Sequence, residues 1–119
     1  MKTNLRASSD FKRVYQRGKR YDGLLMTAFV LANDQPHHRL GLTASRKMSA
    51  RAVGRNRAKR LLRESFRLHA RTLDRLQGKY DWVLNAKRTL LSVSLLEPLE
   101  EFSRIIKRVE RDEESIARA

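Results

Sequence analysis

The chain has 119 residues, with 27 Lys and Arg against 13 Asp and Glu, a net charge of +14 and a pI near 11.2. The absence of Cys excludes a disulfide framework, a thiolate nucleophile and a Cys-based zinc site, and there is no run of about 18 apolar residues to span a membrane. One domain of this length can bury a core, but so much positive charge costs self-repulsion, so a polyanionic partner is expected. Nucleic acid fits better than a membrane surface, because no strongly apolar amphipathic segment accompanies the charge.

In chain order, "SSDFKRVYQRG" reads as a short helix that Ser8, Ser9 or Asp10 caps and Gly18 ends, with Phe11, Val14 and Tyr15 on one face. Residues 24–33 and 39–45 read as strands joined by the polar loop "DQPHH". A basic helix is expected from Val53 or Gly54 to about Arg71, a strand over 80–86, and a last helix from about Leu95 to Arg111. Ser94 and Glu97 have capping-box spacing there, Pro98 is tolerable in the first turn, and residues 112–119 are expected to fray. The order α-β-β-α-β-α predicts a single α+β domain, helices layered on a small sheet. The N-terminus lacks the apolar core of a signal peptide, so a cytoplasmic location is expected.

Residues 46–71 carry ten basic groups and only Glu64 as an acid. At about 100° per residue, Ala58, Leu61, Leu62, Ser65, Phe66 and His69 share one face of the basic helix. Asn56, Lys59, Arg60, Arg63, Arg67 and Arg71 form the opposite face, flanked by Arg55 and Arg57. Like charges three and four residues apart destabilise a helix unless something neutralises them. A solvated face normally mixes signs; this one suits phosphates, and Arg suits bidentate contacts to them. Strands rather than a helix precede it, which argues against a helix-turn-helix and favours RNA.

Alternation along 24–32 sends Leu24, Met26, Ala28, Val30 and Ala32 to the core, with Thr27 and Phe29 on the other face. Thr43, Ser45 and Lys47 then join Phe29 on a second surface bordered by Phe11 and Tyr15, with Arg46 close by. These aromatics either stack on unpaired nucleotides or pin the first helix to the sheet. The adjacent His37 and His38 suit no metal site, His69 reads as a half-buried core residue, and no hydrolytic motif appears. The acids of "LEPLEEF" read as capping and solvent-face groups of the last helix.

"RNRAKRLLRESFR", preceded by "RLGLTASRKMSARAVG", flanked by "DFKRVYQRGKR" and "YDWVLNAKR" in matching order, resembles the protein component of bacterial ribonuclease P. The likeness spans about residues 5 to 110; its one departure is "MSARAVG", where many members carry a Gly- and Lys-bearing approach to the Arg-Asn-Arg motif. It implies the order α-β-β-β-α-β-α, adding a short strand near 19–22, in a two-layer sandwich whose small sheet is mostly antiparallel, with a left-handed βαβ crossover. It implies that a large catalytic RNA with its own Mg²⁺ ions removes the 5′ leader of precursor tRNA, while the protein binds both RNAs. By that resemblance Arg55, Asn56, Arg57, Lys59, Arg60, Arg63 and Arg67 meet the catalytic RNA. Phe11, Tyr15, Phe29, Arg46 and Lys47 border the leader cleft. No catalytic or metal-ligating residue is assigned to the polypeptide. A structural RNA-binding module and, behind it, a self-sufficient nuclease are the alternative readings.

Overall fold

The computed structural model describes residues 4–118. Helix α1 (Ser8–Arg17) is followed by strands β1 (Lys19–Asp22), β2 (Met26–Ala32) and β3 (Arg39–Thr43), helix α2 (Ala52–Leu68), the short α3 (Ala70–Asp74), β4 (Tyr80–Ala86), a 3-10 turn (Arg88–Ser92) and α4 (Leu96–Arg118). The sheet order is β1-β2-β4-β3; the first two pairings are antiparallel and β3 runs parallel to β4. This is the expected α+β class, including the strand at 19–22 that only the family resemblance implied.

The sheet separates two cores. On one face, Met26, Ala28, Val30, Leu40, Trp82 and Leu84 pack against Ala58 and Leu62 of α2 and Phe102, Ile105 and Ile106 of α4. On the other, a smaller cluster joins Leu5, Val14 and Val83 with the half-buried Phe11, Phe29 and Leu31, which seats α1 on β2 and β4. Alternation along β4 therefore sends Trp82 and Leu84 to the large core and Asp81, Val83 and Asn85 to the α1 side.

Several boundaries differ from the sequence reading for identifiable reasons. Leu24 is 80% exposed and Leu25 is core, because both precede the strand, in a turn where alternation does not apply. At the other end of β2, Ala32 is exposed. No side chain caps α1: Ala7 is its N-cap, and Asp10 sits inside the first turn, 3.2 Å from Arg13. Gly18 ends α1 with φ of −76°; a Cβ there would come within 2.5 Å of the Val14 carbonyl oxygen, so close approach rather than a left-handed backbone selects glycine. Helix α2 stops at Leu68, not Arg71. The His69 ring Nδ1 lies 2.7 Å from the Ser65 carbonyl, while its backbone N–H goes to Phe66, so the side chain competes with the helix ladder.

The last helix carries the largest differences. Glu101 is buried, not on the solvent face: its carboxylate accepts the backbone N–H groups of Leu24, Leu25 and Met26 at 2.6, 2.9 and 3.0 Å. Charge-assisted bonds to three amides offset the desolvation of that carboxylate. Instead of fraying after Arg111, α4 continues to Arg118, and Ala119 lies outside the described residues. Asp112 accepts from Lys19 at 2.6 Å and from the Tyr21 hydroxyl; Glu113 accepts from the Gln77 and Gly78 amides and the Tyr80 hydroxyl. Both acids tie the helix end to the sheet and to the turn before β4.

His38 closes the large core at the β2–β3 loop. Its Nδ1 accepts from the Tyr80 amide at 3.0 Å and from Trp82 Nε1 at 3.1 Å, so the proton is on Nε2, which donates to the Leu73 carbonyl at 3.1 Å. Burial, the largest influence, holds its pKa below the ordinary 6.5 and outweighs the bond to Leu73. The unfolded chain then binds a proton that the folded one excludes, and stability falls as pH drops below 6.5 towards the folded value. Urea unfolding across this interval is expected to show that loss, and His38→Gln to flatten it; an unchanged slope in the variant would assign the loss elsewhere.

Candidate nucleic-acid interface

The apolar face of α2 fixes where its charges point. Ala58, Leu62 and Ser65 have no exposed surface, and Leu61 and Phe66 are half-buried, so Asn56, Arg60, Arg63 and Arg67 emerge exposed on the opposite side. Lys59 lies between, half-buried by its stem. Only Glu64 interrupts the row, and it binds Arg67 at 2.7 Å. That bond, the largest influence, lowers the Glu64 carboxyl below its usual range. The first turn of α2 contains no acid and its N-cap, Arg51, makes no side-chain cap. The positive end of the helix dipole thus adds to the cations instead of being offset.

Two of the predicted contacts have another task. Arg57 turns inward, donating to the carbonyls of Leu91 and Val93, both at 3.0 Å, and so clamps the 3-10 turn and the segment after it onto α2. Arg55 donates to the carbonyls of Ser49 and Ala50, shaping the approach to the helix. Both are half-buried, whereas the sequence angle alone makes them flanking cations. Arg71 leaves the row because α2 ends three residues earlier.

The second surface forms on the α1 side. Phe11 lies over Gly41, where a Cβ would come within 2.7 Å of its ring. Phe29 and Tyr15 meet edge to face with ring centroids at 4.9 Å, and the Arg20 guanidinium lies 5.8 Å from the Phe29 ring centroid. Phe11 and Phe29 are thus packing groups in the smaller core, and Tyr15, 38% exposed, is the ring of the three with most surface open to a partner. Its hydroxyl donates to Asn85 Oδ1 at 2.9 Å, and Thr43 donates to the same oxygen at 2.6 Å, which orients the Asn85 amide at the C-terminal ends of β3 and β4. Arg46 and Lys47 are exposed in the turn just beyond β3, and Arg88 ties that turn to the end of β4 through the Lys47 carbonyl at 2.8 Å. Thr27, expected on this surface, is buried and donates to Asp22. Asn85, Arg20 and Arg88 escaped the sequence reading, although period-two alternation along 80–86 places Asn85 on the same face as Asp81.

Asp81 locks α1 in place. Its buried carboxylate accepts Arg39 Nε and Nη2, both at 2.7 Å, Asn33 at 2.7 Å and Arg13 of α1 at 3.1 Å. Burial pushes its pKa up, but Arg39, Asn33 and Arg13 together hold it below the usual carboxylate range. Among the described residues no three His, Asp or Glu side chains gather as a metal would require.

The two surfaces meet around edge strand β3. The N-terminal segment bridges Leu40, with the Leu5 amide donating to the Leu40 carbonyl at 2.8 Å. A cavity at this edge is lined by Phe11 and Leu5 from one side and by Lys59 and Arg63 from the other.

The family model described as Ribonuclease P matches residues 1–110. The ribonuclease P protein component of Clostridium kluyveri is 33% identical over 104 residues, 87% of this chain and 91% of that protein. The RNase P protein of Thermotoga maritima superposes with a TM-score of 0.74 at 27% identity, covering 88% of this chain and 96% of that one. The Staphylococcus aureus RNase P protein superposes with a TM-score of 0.79 at 23% identity, over 92% and 97% of the two chains.

The contrast between Arg57 and Arg60 is testable without RNA. Arg57→Ala removes two bonds from partly buried carbonyls and is expected to lower unfolding stability by about 1–3 kcal/mol. Arg60→Ala is expected to stay within about 0.5 kcal/mol. Equal effects in urea unfolding would contradict the inward assignment of Arg57.

Proposed function

This chain belongs to the ribonuclease P protein family, and from that premise we propose that it serves as the protein subunit of a ribonucleoprotein endonuclease that trims the 5′ leader from precursor tRNA. The observation that carries the reading is the row Asn56, Lys59, Arg60, Arg63 and Arg67, set on one side of α2 with a single acid among it. Such a row is costly in the free protein and suited to a backbone of phosphates. Arg55 and Arg57 support it by holding the N-terminal part of α2 against backbone carbonyls of the preceding turn and of the segment around the 3-10 turn.

The substrate leader would run through the cleft between α1 and the sheet. Tyr15 offers an aromatic face, Asn85 a polarised amide, and Arg46, Lys47 and Arg20 charges for the backbone. Phe11 and Phe29 build the floor on which Tyr15 stands. This divides labour between phosphate positioning and stacking on unpaired bases.

The chemistry itself is assigned to the RNA partner. The buried acids Asp81 and Glu101 are occupied by guanidinium, amide and backbone donors, and the described residues gather no ligand set. These side chains do not fit a catalytic metal centre; Mg²⁺ would be held by RNA phosphates. The protein's part is to screen repulsion between catalytic RNA and substrate, which matters most when Mg²⁺ is scarce.

Reconstitution with the cognate catalytic RNA and precursor tRNA tests this. Cleavage at low Mg²⁺ is expected to rise on adding the protein and to depend on the presence of a 5′ leader, with Tyr15→Ala reducing the leader effect. Unchanged low-Mg²⁺ cleavage would remove the role and leave a structural RNA-binding module; cleavage by the protein alone would reassign the active site.

A further inference from the structure

We propose that the open cavity between α2, α3 and the β2–β3 loop is a pocket for one unpaired nucleobase of the bound RNA, whose phosphate rests on Arg63 and Arg67. The proposal rests on the reading of α2 as an RNA-binding face and adds to it a contact of different chemistry. The cavity, about 460 Å³, is walled by Leu40, Phe66, Ala70 and Leu73, with Arg63 and Arg67 exposed at its rim. That volume lies within the range of about 300–1,000 Å³ typical of small-ligand sites.

The pocket is built before any ligand arrives. Helix α2 breaks at His69, and the short α3 turns Ala70, Leu73 and Asp74 towards the β2–β3 loop. Phe66 is fixed between Trp82 and Phe102, with ring centroids at 6.5 and 5.9 Å. His38 on the opposite wall is held by three hydrogen bonds, one of them to the Leu73 carbonyl. A rigid wall loses little entropy on binding, so stacking and burial count nearly in full.

The lining selects the occupant. Leu40, Phe66, Ala70 and Leu73 make most of the interior apolar, and the polar groups beside them, Asn4, His37, His38 and Asp74, include a carboxylate that disfavours a bare phosphate. Guanidinium groups at the rim suit a phosphate outside while a flat, apolar ring enters. Arg63 also belongs to the cation row of α2, so a strand lying on that row passes the opening. Arg67 is exposed, so its bond to the half-buried Glu64 leaves the arginine within reach of a phosphate.

Two measurements test the pocket. In the first, methyl NMR of the wild-type protein is followed during titration with millimolar AMP and, separately, inorganic phosphate. The Ala70 and Leu73 methyl signals are expected to move with AMP and stay fixed with phosphate. Static methyl signals in AMP, or the same shifts with phosphate alone, would overturn the proposal. In the second, Ala70→Leu fills the cavity from an exposed position without altering charge. Its affinity for the cognate catalytic RNA is expected to fall about tenfold, the weight of one stacked base, with the salt dependence unchanged because no phosphate contact is lost. Wild-type affinity in a folded Ala70→Leu would refute the pocket; were that variant to unfold, the AMP titration decides. If neutralising Lys59 and Arg60 weakens RNA binding and Ala70→Leu does not, the pocket alone fails. If neither change matters, the reading of α2 fails with it.

Discussion

Repulsion along the outer face of α2 is held in check by the packing of its inner face, and the rest of the molecule depends on that balance. Ala58, Leu62 and Ser65 are sealed against the sheet and α4, so the helix cannot rotate to disperse its charge. Arg57 is drawn inward to the carbonyls of Leu91 and Val93, which fixes the helix about its axis and removes one cation from the crowded side. What remains outside is a row whose spacing is set by 3.6 residues per turn and whose direction is set by the core.

The sheet extends this geometry into two adjoining surfaces. β3 is an edge strand paired in parallel with β4, so the connection between them carries α2 across one face, and α1 packs on the other. Asp81 holds α1 through Arg13, and Glu101 holds the turn before β2 through three amides. Both buried carboxylates thus serve the scaffold, each held by donors from within the protein. The result is a frame with cations on one side of β3 and a surface of aromatic, hydroxyl and amide groups on the other.

Much of this was legible in the sequence, for reasons that also explain the rest. The helical period of residues 55–67 and the apolar, strand-forming run 80–86 are strong local patterns; the strand stands where it was expected, and the helix forms but ends at Leu68 instead of near Arg71. The strand Lys19–Asp22 is too short and polar to announce itself, and it entered through the resemblance alone. The inward turn of Arg57 could not be read, since it depends on carbonyls more than 30 residues away in the 3-10 turn and just beyond it. Glu101 looked like a surface acid because its three amide partners lie some 75 residues earlier in the chain. The extension of α4 rests on Asp112 and Glu113 meeting Lys19, Tyr21 and Tyr80, contacts that no local propensity encodes. In the cleft, composition identified the aromatics; only the fold separates Phe11 and Phe29, which pack, from Tyr15, which faces outward.

The most direct test of the central claim is the salt dependence of catalytic-RNA binding by the intact protein and by a variant with Lys59→Gln, Arg60→Gln and Arg63→Gln. If these three cations lie on RNA phosphates, the plot of log affinity against log salt should become shallower by about two to three, one unit or slightly less for each lost contact. A parallel plot, with affinity unchanged at physiological ionic strength, would contradict the account.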